Sequence, residues 1–116
     1  MKLRQVAELL QAEVLTDESL LDNEVDNVFC SDMMSDVLRY ASSDTVLVTT
    51  LVNLAVVRSS VMAEVHCVVF PEEVEPPAQL LNMAEAHDIA VMATERSMFE
   101  DVEILLNAGL SDASWV

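Results

Sequence analysis

A single glycine, Gly109, occurs in the 116-residue chain, and it lies close to the C-terminal end. A chain of this length would carry about eight glycines at the usual frequency of about 7%. Glycine lets a backbone turn tightly and approach a phosphate group closely. One glycine cannot supply the loops GxxxxGKS/T, GxGxxG or GxSxG, so the sequence excludes most phosphate-binding and hydrolase loops.

The charge is strongly one-sided. Twenty-one Asp and Glu residues face five Lys and Arg residues, which gives a net charge of −16. Such a surface repels phosphate backbones and anionic lipids, so we expect neither nucleic acid nor a membrane as a partner. It is usually a solvated surface that keeps a protein soluble, but it also fits a protein partner with a basic surface.

The size and the apolar content indicate one folded domain. Hydrophobic residues make up 53% of the 116 residues, which supplies enough material for a core. The apolar runs fall short of the roughly 18 residues that a membrane-spanning helix needs. The first ten residues are typical of an amphipathic helix and lack the long apolar segment of a signal peptide. We therefore expect a cytoplasmic protein with a domain over residues 1–110 and a flexible tail over residues 111–116.

Apolar runs typical of strands alternate with segments of helical spacing along the chain. The predicted strands are residues 12–15, 25–30, 45–50, 65–70 and 89–93. The predicted helices are residues 3–10, 31–41, 51–63, 77–87 and 97–108, with Ser31-Asp32 starting the second helix. Strands that alternate with helices favour right-handed crossovers and a mostly parallel sheet covered on both faces. The predicted fold class is therefore α/β, a three-layer α/β/α sandwich.

Two signals mark the last helix. Ser97 and Glu100 match the S-x-x-E capping box at a helix start. Gly109 stands where a left-handed C-terminal cap favours glycine, with Leu110 placed to pack back on the helix.

Polar side chains follow three of the predicted strands. In an open parallel sheet, ligands bind beyond the carboxyl ends of the strands, so these side chains could hold a small polar or anionic ligand. The candidate ligand-binding residues are Ser31, Asp32, Thr49, Thr50, Asn53, Glu95 and Ser97. The alternative is ordinary capping of helix N-termini, which requires no ligand.

Nothing in the sequence marks a catalytic or metal site. His66 lies inside a predicted strand and His87 at a predicted helix end, so structural roles are favoured for both. Cys30 and Cys67 are far apart and lack CxxC spacing, so buried free thiols are favoured over a disulfide or a metal shared with His66. We expect no catalytic residue, no metal ion and no cofactor.

The run from Leu21 to Val37 reads L-D-N-E-V-D-N-V-F-C-S-D-M-M-S-D-V. It resembles the DRTGG domain family, whose members read like L-D-R-E-V-x-G-G-Y-x-S-D-L-L-S-D-V. The S-D-x-x-S-D-V segment is the most specific part of this resemblance. Residues 46–57 are similar to the family's central strand and following helix. Residues 89–100 are similar to its closing stretch, I-P-(I/L)-L-x-T followed by S-x-(F/Y)-E. The resemblance covers roughly residues 2–110.

The resemblance implies an α/β/α domain similar to the N-terminal domain of HPr kinase/phosphorylase, whose phosphate-binding loop lies in its other domain. Such domains occur alone or attached to CBS domains and phosphotransacetylases. The stand-alone forms resemble the products of genes that lie near gene clusters for iron-only hydrogenase and electron transfer. This chain departs from the pattern where Asn23 replaces arginine and where Asn27 and Val28 replace paired glycines. The run Phe70-Pro71-Glu72 also stands where a glycine-bearing turn is expected. These departures disfavour a ligand that needs close backbone approach.

We expect a non-catalytic regulatory or protein-interaction module, which the resemblance links to hydrogenase or electron-transfer systems. The alternative is a sensor of a small ligand, either a nucleotide or a phosphorylated metabolite, at the strand ends. A small phosphotransferase-related enzyme is the third possibility. We expect a homodimer, because a small domain of high apolar content can cover its exposed apolar surface by associating with a second copy.

Overall fold

The computed structural model describes residues 1–114. Its helices are α1 (Leu3–Leu10), α2 (Met34–Tyr40), α3 (Leu54–Ala63), α4 (Ala78–Ala86) and α5 (Met98–Asn107), and a short 3₁₀ helix spans Glu18–Asp22. Its strands are β1 (Glu13–Val14), β2 (Asn27–Cys30), β3 (Thr45–Val48), β4 (Cys67–Phe70), β5 (Ala90–Ala93) and β6 (Ser111–Asp112). None of the helices in residues 1–114 combines the length and the apolar character that crossing a bilayer requires.

The strands form one sheet in the order β1-β5-β4-β3-β2-β6. Every pair of neighbours is parallel except β1 and β5, which are antiparallel. A helix connects each of β2, β3, β4 and β5 to the strand that follows it in the chain, because parallel strands need a crossover connection. The predicted α/β fold with a mostly parallel sheet is confirmed.

The central strands are buried on both faces and separate two cores. On β3, Val46 and Val48 pack with residues of α1 and α5, whereas Leu47 packs with residues of α2, α3 and α4. This is the period-two alternation of a strand, with apolar side chains on both sides of the sheet. The layers are therefore α1 and α5, then the sheet, then α2, α3 and α4, as the predicted sandwich requires.

Within residues 1–114, five residues other than glycine adopt the left-handed backbone conformation. Gln11 ends α1 with φ of 51°, Glu64 ends α3 with φ of 64°, and Asp88 follows α4 with φ of 56°. Glu72 and Glu73 form the turn after β4 with φ of 64° and 59°. Residues with a Cβ rarely adopt this region, so the fold makes left-handed turns without the glycines that usually form them.

Gly109 caps α5 as the sequence predicts. Its φ is 114°, its N–H donates to the carbonyl of Leu106, and the N–H of Leu110 donates to the carbonyl of Leu105, each at 3.1 Å. These two bonds form a Schellman motif, and Leu110 is buried against the core beside it. The capping box of Ser97 and Glu100 at the other end of α5 is also present.

Several predicted boundaries are wrong. α2 begins at Met34 instead of Ser31, and α3 begins at Leu54 instead of residue 51. Both connections are longer than predicted, because Asp32 bonds to Thr49 and Thr50 instead of starting α2, and because Asn53, three residues after Thr50, caps α3. Residues 111–114 do not form the predicted flexible tail, because Ser111 and Asp112 pair in parallel with β2. The rest of the predicted tail, residues 115–116, lies outside the described residues.

Candidate functional site

Asp32 joins the carboxyl ends of β2 and β3. Its Oδ1 accepts hydrogen bonds from the hydroxyl of Thr49 at 2.9 Å and from the backbone N–H of Thr50 at 2.8 Å. Its Oδ2 accepts from the hydroxyl of Thr50. The residues come together because β2 and β3 are adjacent and parallel, with Cys30 opposite Val48, so the next residues of both strands meet at one edge. We name Asp32, Thr49 and Thr50 the Asp32 cluster.

The hydrogen bonds of the Asp32 cluster favour the ionised carboxylate. Bonds from Thr50, above all from its hydroxyl, and from Thr49 hold the pKa of Asp32 below its ordinary value, against the opposing effect of partial burial. Asp32 is exposed, whereas Thr49 is completely buried and its Oγ1 also accepts from the N–H of Leu51 at 3.1 Å. The cluster therefore presents a fixed, charged acceptor to solvent.

Ser31 and Asn53 flank the cluster and serve local turns. The hydroxyl oxygen of Ser31 accepts from the N–H of Met33 at 3.0 Å, and Oδ1 of Asn53 accepts from the N–H of Ala55 at 2.9 Å as the cap of α3. The predicted capping role of Asn53 is confirmed. Ser31 lies before a turn that precedes α2, so it does not cap the helix directly.

Glu95 and Ser97 lie apart from the Asp32 cluster. Both follow β5, and β4 separates β5 from β3 in the sheet. The hydroxyl oxygen of Ser97 accepts from the N–H of Glu100 at 3.1 Å, and hydrogen bonds from Ser97 hold the pKa of Glu100 below its ordinary value. The structure thus brings together three of the seven candidate residues directly, places two beside them, and leaves two at another part of the edge. Whether any of them binds a ligand stays a prediction.

A groove with an acidic rim lies beside β5 and β1. It consists of two hollows of about 330 and 250 Å³ that share Glu13, Val74, Glu75 and Ala93. We name it the acidic groove, and we call its four exposed glutamates, Glu13, Glu73, Glu75 and Glu95, the rim and its four half-buried apolar residues, Leu15, Val74, Leu81 and Ala93, the floor. The sequence did not reveal it because its residues come from three separate segments.

The sequence also did not reveal a buried carboxyl group on α5. The hydroxyl of Thr94 donates to Oδ2 of Asp101 at 2.6 Å, whereas Oδ1 of Asp101 is buried with no hydrogen-bond partner among the described residues. Burial raises the pKa of Asp101, although the bond from Thr94 and the charge of Arg96 act in the opposite direction. A single acidic residue in a helical pattern gives no signal of such burial.

The cysteines and histidines form no metal site and no disulfide in residues 1–114. Cys67 is completely buried, and burial raises its pKa to about 12. Cys30 is exposed at the end of β2, contrary to the predicted burial, and its pKa is raised by desolvation and by the carboxylates of Asp112 and Asp32. Both thiols are free, and no group of three His, Cys, Asp or Glu side chains could hold a metal ion within these residues.

Comparison with known proteins places the chain in a family. Among solved structures, the fold is similar to the CBS and DRTGG domains of the regulatory region of Clostridium perfringens pyrophosphatase, complexed with the activator diadenosine tetraphosphate. The TM-score is 0.72 at 13% sequence identity, and the similarity covers 99% of this chain and 52% of that one. This chain therefore spans about half the length of that neighbour. No curated protein matches the sequence. The sequence profile of the DRTGG domain matches residues 5–108, and the chain therefore belongs to the DRTGG domain family.

Proposed function

We propose that this chain is a non-catalytic regulatory domain that binds a nucleotide at the Asp32 cluster. The family and the shared fold support the regulatory part, since the neighbour is a regulatory region that holds a nucleotide activator. That neighbour favours ligand sensing over a link to hydrogenase or electron-transfer systems, which rests on the family resemblance alone.

The observation that carries the proposal is the direction of the hydrogen bonds at Asp32. The hydroxyls of Thr49 and Thr50 both donate to the carboxylate, so neither has a hydrogen left for a phosphate oxygen. A carboxylate has about four acceptor positions, of which the threonines occupy three. The cluster is therefore an acceptor, and its ligand must supply the donor.

A nucleoside supplies suitable donors. Ribose hydroxyls and the amino groups of bases donate hydrogen bonds, and a carboxylate that accepts from ribose hydroxyls is a known device of dinucleotide-binding folds. The net charge of −16 opposes the approach of phosphate groups. We infer that the nucleoside part faces Asp32 and that the phosphates point away from the sheet edge, where solvent cations screen them.

Isothermal titration calorimetry with adenosine, ATP, diadenosine tetraphosphate and inorganic phosphate tests this function. We expect the three nucleoside-containing ligands to bind and inorganic phosphate not to bind. Asp32→Asn should weaken adenosine binding by about tenfold or more, because it removes a charged acceptor. Glu103→Gln, which removes one charge from an exposed position of α5, is the matched control and should change the affinity less than about twofold.

Three outcomes would contradict the proposal. The first is no binding of any nucleoside at millimolar concentration. The second is equal weakening by Asp32→Asn and Glu103→Gln, which would show only the effect of net charge. The third is turnover of ATP that Asp32→Asn abolishes, which would make the domain an enzyme.

A second candidate role is assembly into a homodimer through α5. Phe99 is 76% exposed and Leu106 is 41% exposed, and their spacing of seven residues places them on one face of the helix. The charge of −16 on each copy opposes association, so added salt should strengthen the dimer by screening. Light scattering on Phe99→Ser checks this, with Met62→Ser as control because Met62 is 72% exposed on α3. A monomer at every salt concentration would contradict the role.

A further inference from the structure

The acidic groove combines an apolar floor with a charged rim. Leu15, Val74 and Ala93 on its floor are half-buried, so a molecule that covers them removes apolar surface from water. Glu13, which lines both hollows, lies on β1 opposite Ala93 of β5. The groove is therefore built partly on the sheet.

No ion pair within the described part of the chain engages the rim carboxylates, although one cation, Arg96, lies next to the groove. Glu13, Glu73, Glu75 and Glu95 form no ion pair there, where the one salt bridge joins Arg4 to Asp22 at 3.4 Å. Arg96 follows Glu95 in the chain, and its guanidinium donates to the carbonyl of Leu10 at 2.6 Å and to Oε1 of Gln11, a lining residue of the groove, at 3.0 Å, instead of to a rim carboxylate. The rim thus carries four negative charges whose repulsion a cationic occupant would relieve.

The rim is also held in place. The N–H of Glu72 donates to the carbonyl of Arg96 at 2.8 Å, and the N–H of Glu73 donates to the carbonyl of Thr94 at 3.0 Å. The turn after β4 is therefore attached to the chain that leaves β5. A rim with a fixed backbone loses less conformational entropy on binding than a free loop would.

We propose that the acidic groove docks a basic segment of a partner protein. The charge of the rim meets lysine or arginine head groups, and the apolar floor covers the aliphatic stems of the same side chains. A lysine or arginine side chain is suited to such a surface because it is apolar along its length and charged at its end. This site is separate from the Asp32 cluster and does not depend on the nucleotide.

Fluorescence anisotropy with a labelled synthetic peptide of alternating lysine and valine tests the docking site. The variant Glu13→Gln/Glu75→Gln removes two charges from the groove. The control Glu85→Gln/Glu103→Gln removes two charges from exposed positions on α4 and α5. We expect the groove variant to weaken peptide binding by about tenfold and the control variant by less than about twofold. Circular dichroism confirms that each variant folds.

Two further arms test the kind of occupant. Val74→Ala should weaken the peptide without changing the salt dependence of binding, because it alters the floor and not the rim. Spermine, a free polyamine, should compete poorly with the peptide. Equal weakening by the two charge variants, no effect of Val74→Ala, or displacement of the peptide by spermine at equal concentration would each overturn the proposal. So would an absence of peptide binding at about 50 mM salt, where surface charges attract most strongly.

Discussion

Replacing Asp32 with alanine tests the central feature of the candidate site. The change removes the acceptor of three hydrogen bonds, two from hydroxyls and one from the N–H of Thr50. The hydroxyl of Thr49 is then left in a completely buried side chain without an acceptor. The connections after β2 and β3 also lose the contact that joins them.

The expected loss follows from the number and exposure of these bonds. A hydrogen bond to a charged group contributes about 1.5–3 kcal/mol when shielded, but Asp32 is exposed and its bonds contribute less. We therefore expect Asp32→Ala to lower the free energy of unfolding by about 2 kcal/mol at neutral pH. For a domain of this size, that corresponds to a fall of about 8 °C in the melting temperature.

The loss should depend on pH in a defined direction. Because the pKa of Asp32 is lowered in the folded protein, its charge stabilises the fold above the unfolded pKa of about 3.9. That stabilisation disappears as the pH falls through the lower, folded pKa. The difference between the wild-type protein and Asp32→Ala should therefore stay constant from about pH 7 to about pH 5 and shrink as the pH falls from about 4 to about 2.

Urea unfolding followed by circular dichroism over this pH range measures the effect. Glu103→Ala serves as control, because it removes one charge from an exposed position of α5 and should change stability by less than about 0.5 kcal/mol. A loss for Asp32→Ala that is no larger than the control, or that stays constant across the pH range, would refute the reasoning.

Three further predictions concern other parts of the fold. Gly109→Ala should lower the free energy of unfolding by about 1 kcal/mol through backbone strain alone, since φ is 114° and a Cβ there would meet nothing within 4 Å; an unchanged urea midpoint would contradict this. Thr94→Val should cost about 1–3 kcal/mol at pH 7 and less near pH 4. Burial raises the pKa of Asp101, so the fold is less stable at pH values where this carboxyl group is ionised. The Thr94 hydroxyl stabilises the ionised carboxylate, so its removal costs more at pH 7 than near pH 4. An equal cost at both pH values would show that Asp101 does not titrate. A thiol reagent followed by mass spectrometry should label the exposed Cys30 in the native protein and the buried Cys67 only after unfolding, so rapid native labelling of both would contradict the burial.

The layers of the fold were predictable because apolar periodicity determines which face each element buries. The continuous run Thr45–Val48 indicates a strand buried on both faces, and it lies in the middle of the sheet. β6 was not predictable in this way. Its two residues, Ser111 and Asp112, are exposed and join β2 through backbone pairing, which leaves no apolar signal in the sequence.

The candidate site was predictable in its position but not in its chemistry. The rule for parallel sheets locates Asp32, Thr49 and Thr50 at one edge, and the structure joins them there. The same residues are typical helix caps, and local spacing cannot show that Asp32 accepts from partners 17 and 18 positions away. That long-range bond changes the predicted ligand, because hydroxyls that were expected to bind an anion donate to a carboxylate of the protein.

The scarcity of glycine moves the left-handed turns of this fold onto other residues instead of removing them. Glu72 and Glu73 both adopt positive φ after β4, where the family resemblance places a glycine-bearing turn. A glycine at such a turn would let a phosphate approach the backbone, because it has no side chain. Glutamate in the same conformation brings a negative charge, and Glu73 directs that charge to the rim of the acidic groove. The same backbone turn therefore favours a cationic group in this chain, which is why we assign the basic partner to the groove and the nucleoside to the separate acceptor at Asp32.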